Sequence, residues 1–294
     1  MLQFLTYLFI AIYTATVIGI ILVVILGNRN PLKTIPWVVV LIFAPVVGLV
    51  FYFFFGQDLR RKRIISRRTY KRLMVYALPA HVRRSDAPVP AACQSLSTLL
   101  TNTSQAVSFY GSRLTHYGDG ASKMTALLEE IEKARDHIHI LYYIFCDDET
   151  GARLQQALIR KAKEGVKVRV LYDDVGCNGV KKEFFQQMRD AGAEVHALLH
   201  VRFPMLTDRV NYRNHRKIVV IDGRVGFFGG MNIADRYVEG TKWGTWRDTH
   251  LRIEGPAVRG LQLLFAVDWS YECKEVLSDS RFFPPVADKG KSGI

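Results

Sequence analysis

His215-Arg216-Lys217-Ile218-Val219-Val220-Ile221-Asp222-Gly223-Arg224-Val225-Gly226-Phe227-Phe228-Gly229-Gly230-Met231-Asn232 is the stretch on which the fold turns. The apolar run from Lys217 to Ile221, the Asp222-Gly223 pair and a second run from Val225 to Phe228 predict a β-hairpin closed by an Asp-Gly turn. Upstream, Ile138 to Phe145 suits a buried strand. Residues 152–164 set Leu154, Ala157, Leu158 and Ala162 on one helical face, with Arg160, Lys161 and Lys163 outward. Val166, Val168 and Val170 alternate with Lys167 and Arg169, a strand signal. Glu183 to Ala191 reads as helix ending at Gly192, and Glu194 to Leu198 as strand. Downstream, His250 to Glu254 is another strand, and Pro256 opens a helix running to about Trp269. Strands alternating with helices of this length predict a mixed sheet covered by helices, an α/β sandwich.

The same stretch carries chemistry. As spacing it is H-x-K-x4-D-x6-G-G-x-N, which random sequence at average residue frequencies would supply in fewer than roughly one chain in ten thousand. His215 and Lys217 lie two apart where a strand begins, so both side chains point to one face. An imidazole beside an ammonium is a nucleophile or proton donor next to a phosphate clamp, because a lysine neutralises phosphoryl oxygens as a point charge. Asn232 follows two glycines and is placed to donate amide hydrogens to the same phosphate, with Gly229 and Gly230 letting the backbone approach it closely.

The rest of the chain says where this chemistry operates. Net charge is +13, which favours anionic partners: nucleic acid, lipid headgroups or phosphorylated small molecules. Residues 1–28 and 34–57 contain no charge. Within them, the runs 4–26 and 35–55 are each long enough to cross a hydrocarbon core of about 30 Å as a helix. Gly27, Asn28, Asn30 and Pro31 mark a turn between them, Pro36 fits an opening turn, and Pro45 predicts a kink. Arg60, Arg61, Lys62, Arg63, Arg67, Arg68, Lys71 and Arg72 follow the second run, so the positive-inside rule puts the C-terminal part in the cytoplasm of a multi-pass protein of the cell membrane. Such a collar also attracts anionic lipid. Cys93, Cys146, Cys177 and Cys273 are scattered and read as neither a disulfide framework nor a zinc site.

The spacing resembles the HKD motif of the phospholipase D superfamily. The surroundings are similar to bacterial cardiolipin synthases: Asn211-Tyr212-Arg213-Asn214 before His215, Met231-Asn232-Ile233-Ala234-Asp235 after the glycines, and Trp246-Arg247-Asp248-Thr249-His250 further on. The N-terminal segment, with Asn30-Pro31, Pro36-Trp37, Pro45-Val46-Val47-Gly48 and Gly56, is similar to the membrane part of those enzymes. The resemblance implies a phospholipase D-like sheet sandwiched by helices over residues 106–283. Ahead of it come a transmembrane hairpin over 1–57 and a basic juxtamembrane segment and linker over 58–105; a linker cut short follows over 284–294. It implies transfer of a phosphatidyl group between two phosphatidylglycerol molecules through a phosphatidyl-histidine, giving cardiolipin and glycerol, with neither metal nor cofactor. In that scheme Lys217 and Asn232 hold the non-bridging oxygens, Asp222 is a supporting carboxylate, and Asp248 orients the imidazole.

Members of that family pair two such motifs, one His attacking while the other protonates the leaving group. Histidines 81, 116, 137, 139, 196, 200 and 250 have no lysine two residues on. The acid must therefore come from a second half in cis, on the expectation that the chain is cut short, or from a second copy in trans. Phosphatidylethanolamine in place of the acceptor, a membrane-tethered nuclease and a non-catalytic lipid-binding half are the competing expectations. Nucleic acid is not the expected partner, because two spans and a collar put the domain beside a bilayer. Cys177 stands where many relatives are expected to carry serine.

Overall fold

The computed structural model of the chain describes residues 1–27, 31–44, 47–48, 51–52, 89–104, 106–201, 213–285 and 292–293. The basic collar at 60–72, Pro45, Gly56, Asn211-Tyr212 and most of the tail after 285 lie outside the described residues. Two units are distinguished, one holding the N-terminal helices and a larger one holding the sheet.

In the first unit, α1 runs from Leu2 to Gly27 without a charged residue. Its 26 residues, at 1.5 Å each, reach about 39 Å. The second helix, α2, runs from Pro31 to Phe43, so it starts four residues before the expected second span. Pro31, whose missing N–H costs nothing in a first turn, opens it, and Pro36 falls inside rather than at the start. Its thirteen residues reach about 20 Å, and residues 47, 48 and 51 beyond it are helical as well. Side chains at several α1 positions, Ile12, Thr16 and Ile20 among them, are not described. Restricted to the described residues, no helix is long and apolar enough to cross a membrane.

The second unit opens with α3, Gln94–Ser104, in a stretch expected to be linker; helix forms although every residue of it stays accessible. Then come β1 (Tyr110–Tyr117), α4 (Gly120–Lys133), β2 (His137–Tyr142), α5 (Glu149–Lys163), β3 (Lys167–Asp173), α6 (Lys182–Asp190) and β4 (Glu194–Leu198). The chain continues through β5 (Ile218–Ile221), β6 (Val225–Gly229), the single-turn α7 (Asp235–Val238), β7 (His250–Glu254), α8 (Val258–Cys273) and the two-residue β8 (Ser292–Gly293). Asp119 and Asp148 cap α4 and α5, each accepting a hydrogen bond from the backbone N–H three residues on.

The sheet order is β4-β3-β2-β5-β6-β7-β1-β8. β2, β3 and β4 are parallel, and every pairing from β2–β5 onward is antiparallel. Both faces are buried. On one, Ile138, Ile140, Val168, Val170, Val219 and Ile221 pack with Leu127, Ile131, Leu154, Leu158 and Met188 of α4, α5 and α6. On the other, Leu141, Leu171, Ile218 and Val220 pack under Leu261, Phe265 and Trp269 of α8. The period of two along β2, β3 and β5 sends alternate residues to opposite layers, which is why these strands read as apolar runs. His139 faces the α8 layer, its ring stacked on Phe265 at 4.6 Å with Nδ1 3.0 Å from Gln262 Oε1. Burial there holds its pKa well below the usual imidazole value.

The directions of the strands decide what meets what. The carboxyl ends of β2, β3, β4 and β6 and the amino ends of β5 and β7 share one rim of the sheet. Ligands of open α/β sheets bind outside carboxyl ends. Tyr143, Asp173, His215, Lys217, Gly229, Gly230 and Asp248 all belong to that rim by their positions in or beside these strand ends. Asp222 belongs to the other.

Candidate active site

His215 is exposed in the segment leading into β5, while Lys217 is 2% exposed. The Lys217 ammonium lies 2.9 Å from His215 Nδ1 and donates to the His215 carbonyl at 2.7 Å. The Tyr143 ring packs 4.5 Å from the imidazole, and Lys217 Nζ sits 5.3 Å from the centre of the same ring. An ammonium can only donate, so a charged Lys217 makes Nδ1 the acceptor and leaves the ring proton on Nε2. Desolvation first, then the charge of Lys217, lowers the His215 pKa, opposed by Asp173 and Asp248. Both lowering effects favour the neutral form of the imidazole.

Burial brings Lys217 down to about 8, with the Asp248 charge opposing. Anion binding at this rim is therefore expected to weaken as pH rises through about 8, when the ammonium loses its proton. Lys217→Arg, which stays charged, is expected to remove that limb from a titration of inorganic phosphate affinity. The stability effect has the opposite trend. Lys217 has a folded pKa below its ordinary 10.5, so its penalty is complete below about 8 and relaxes as pH climbs from 8 to 10.5.

The segment carrying His215 is clamped by two acids that the sequence did not single out. Fully buried Asp173, ending β3, accepts from Arg213 at 3.1 Å, from the Asn214 N–H at 3.1 Å and from the N–H groups of Val175 and Gly176. Asp268 of α8 accepts from Asn214 Nδ2 at 2.9 Å and from Arg216 at 2.9 and 3.1 Å. Burial raises the Asp268 pKa, against the pull of Arg216. A carboxylate at the end of an apolar strand just before Val175-Gly176 was the available signal for Asp173; Asp268 gave none beyond its place in α8.

The remaining expected residues divide. Asn232 is 3% exposed; its Oδ1 accepts from the Ile144 N–H at 3.1 Å and its Nδ2 donates to the Tyr237 hydroxyl at 2.7 Å. One amide hydrogen is left for a ligand. Around it, the bridge between Phe145 and Ile233 ties the residues after β2 to those after β6. The glycines also make room for a neighbouring segment of the chain. A Cβ on Gly229 would run into the Thr249 carbonyl and His250, and one on Gly230 would overlap the Asp248 carboxylate. They make room for the chain entering β7. Asp248 accepts from its neighbour Thr249 N–H at 2.6 Å, and its charge is felt at both His215 and Lys217.

Asp222 is not brought to the site. It sits at φ 51° in the β5–β6 turn, at the far end of β5 from Lys217. Its two oxygens accept the backbone N–H groups of Arg135, Asp136 and His137 at 2.9, 2.8 and 2.9 Å. The aspartate of the motif fastens the hairpin to the start of β2.

Beneath the rim, Lys123, Tyr142 and His250 are each completely buried. Lys123 Nζ lies 4.9 Å from the Tyr142 ring centre, and among the described residues the Tyr142 hydroxyl and both His250 ring nitrogens have no hydrogen-bond partner. Burial lowers Lys123 to about 7 and His250 to about 2, the latter also repelled by Lys123 and Lys217. A folded pKa of about 7 against an ordinary 10.5 means stability rises with pH between those values. Lys123→Met is expected to stabilise the fold at pH 7 by on the order of 2 kcal/mol, read by denaturant unfolding, because it removes, at similar volume, a buried cation that the Tyr142 ring and Met124 Sδ contact but no carboxylate among the described residues pairs.

Cys177 is buried, with its sulfur accepting from the Phe145 N–H at 3.3 Å, and burial pushes the thiol up to about 12. It packs. Among the described residues no three His, Cys, Asp or Glu side chains converge as a metal-binding group.

The family described as "Cardiolipin synthase, PLD-like domain" matches residues 127–245, from α4 through the turn before Asp248. This chain carries a cardiolipin synthase-type phospholipase D-like domain. A second family, "Phospholipase_D-nuclease N-terminal", matches residues 14–57 ahead of that domain. Cardiolipin synthase of Geobacillus kaustophilus is 38% identical over 98% of this chain and 58% of its own length. The major cardiolipin synthase of Bacillus subtilis is 36% identical over 93% of this chain and 59% of its own. The chain thus spans about three fifths of the length of these curated relatives. Among solved structures, the phospholipase D family member Nuc from Salmonella typhimurium aligns with a TM-score of 0.42 at 17% identity, covering 55% of this chain and 95% of that one.

Proposed function

We propose that the phospholipase D-like domain transfers a phosphatidyl group at a membrane surface, working as one half of a cardiolipin synthase. The observation that carries this reading is the ammonium of Lys217 held 2.9 Å from Nδ1 of an accessible imidazole. A lipid phosphodiester entering the rim draws the Lys217 ammonium onto its non-bridging oxygens, assisted by the spare Asn232 amide hydrogen. Nδ1 is then free to carry the ring proton, and the Nε2 lone pair attacks phosphorus. The bond from phosphorus to the glycerol oxygen of phosphatidylglycerol breaks, and that oxygen takes a proton from the second half's acid. A hydroxyl of a second phosphatidylglycerol displaces the histidine, its proton passing to the same group, now a base. Cardiolipin and glycerol result. One imidazole cannot be nucleophile and acid at once, so the second half acts in cis or a second copy in trans.

Asp248 is the group we assign to hold the Nδ1 proton once Lys217 has turned to the phosphate. Asp248→Asn in the intact enzyme should slow turnover about 10²-fold or more; unchanged turnover would remove the assignment. The uncharged 26-residue α1 supports an anchor in the cell membrane, and the basic residues 60–72 support a cytoplasmic catalytic part.

The test is reconstitution of the intact protein in phosphatidylglycerol vesicles. Cardiolipin and glycerol should form in equal amounts, and protein denatured in detergent at neutral pH should carry a phosphatidyl adduct on His215 by mass spectrometry. Cleavage of DNA or RNA with no lipid product would overturn the proposal in favour of a nuclease.

A further inference from the structure

Between α7 and β7 the chain makes a tight turn. Thr241 and Gly244 exchange backbone hydrogen bonds at 2.8 and 2.9 Å, and the Trp243 N–H donates to Thr241 Oγ1 at 3.2 Å. Gly240 and Gly244 hold φ of 90° and 128°, conformations open to glycine and strained for other residues. This braced turn presents Trp243 at 86% exposure, the most exposed large apolar side chain among the described residues after position 88. Lys242 lies over its ring with Nζ 4.8 Å from the centre. Trp246 is 44% exposed, and its other side packs on Tyr237 at 5.2 Å. Tyr237 in turn takes the hydrogen bond from Asn232, so the turn is joined to the candidate site through two contacts.

We infer that the Thr241–Gly244 turn is a bilayer-docking element. It seats the Trp243 indole in the headgroup layer of an anionic membrane, with Lys242 and Arg247 facing the lipid charge. Indole rings concentrate at the membrane–water boundary, where an apolar body and a polar N–H are both accommodated. The exposed ionic groups from 239 to 247 are Lys242 and Arg247 against Glu239, a positive balance that complements anionic lipid. A protein interface would surround an anchoring aromatic with further apolar side chains; here the chain neighbours of Trp243 are Thr241, Lys242, Gly244 and Thr245, and the next apolar side chain, Trp246, packs one side on Tyr237. The inference deepens the lipid reading of the same site, since docking here brings the headgroup plane to the rim that holds Lys217.

Because bilayer contact can be read without turnover, its failure is separable from failure of the catalytic proposal. The whole chain carrying Trp37→Phe is placed in nanodiscs containing phosphatidylglycerol and phosphatidylcholine brominated at acyl positions 6 and 7. Three tryptophans remain, and Trp269 is fully buried. Bromolipid is expected to quench the emission, with at least half of that quenching lost on Trp243→Phe. Quenching should also fall in discs without phosphatidylglycerol, or on Lys242→Gln with Arg247→Gln. Equal quenching with and without Trp243, together with free access of acrylamide to Trp243, would overturn the inference. So would shielding of Trp243 from both quenchers with loss of oligomer on Trp243→Ala, which would mark a contact between proteins.

Discussion

His215→Ala in the intact enzyme is expected to lower cardiolipin formation by at least about 10³-fold while leaving thermal unfolding essentially unchanged. The split follows from where the ring sits. It is exposed, its recorded contacts are the Tyr143 face and the Lys217 ammonium, and its removal opens no cavity in either core layer. The segment beneath it stays fastened by Asp173 and Asp268 through Arg213, Asn214 and Arg216. Rates from labelled phosphatidylglycerol and a melting curve on the same preparation check both halves of the statement. Loss of activity with a lowered melting temperature would mean that His215 holds the fold. Retained activity would remove it from the chemistry.

The second large effect is expected at the other end of the same strand. Asp222→Ala withdraws the acceptor from three backbone N–H groups of residues 135–137 and puts an alanine at φ 51°, where L side chains are strained. Charge-assisted hydrogen bonds are each worth about 1.5–3 kcal/mol when lost singly. Allowing for partial solvent access at the turn, the variant should be about 3 kcal/mol less stable, a fall of about 6–12 °C in a domain of this size. Asp222→Asn tolerates the backbone and keeps one acceptor, so its loss should be about half as large. Turnover per folded molecule should stay near normal in both, because Asp222 is a strand length from Lys217. A drop in turnover at 20 °C, where both variants are folded, would instead put the carboxylate in the reaction.

These two residues belong to one motif, and they mark what could be read in the sequence and what could not. Contiguous signals were legible. The apolar runs of β2, β3 and β5 and the Asp222-Gly223 turn need only neighbours along the chain, and so does the His215–Lys217 pairing across one pleat. What the motif could not reveal is that its aspartate lies on the opposite rim, since spacing along a strand says nothing about which strand end receives the ligand. Asp173 and Asp268 act on His215's segment from 40 and 54 residues away, through contacts that only the sheet order and α8 create. β1 escaped because Tyr110-Gly111-Ser112-Arg113-Leu114-Thr115-His116-Tyr117 is polar enough to pass for loop; antiparallel pairing to β7, not its own pattern, makes it strand. α4 did carry a signal in the Asp119 cap and the spacing of Met124, Leu127 and Ile131. The glycine pair is ambiguous in sequence, because a missing Cβ admits a ligand or a neighbouring segment equally well; in the fold Thr249 and His250 press on Gly229, and Asp248 on Gly230.

The Asp222-Gly223 turn has another neighbour. A Cβ on Gly223 would strike Pro284 and the Phe282 carbonyl, so the segment leaving α8 is tucked beneath that turn. That segment therefore passes the rim that holds Asp222, opposite the rim that holds His215. A covalently joined second half would have to climb past the strands, about 17 Å for the five steps from Asp222 back to Lys217, before a second imidazole could face the first. A tether of fewer than about five or six extended residues could not make that climb. Trimming such a tether stepwise would uncouple the two halves abruptly, whereas a pair of separate copies would be indifferent to its length.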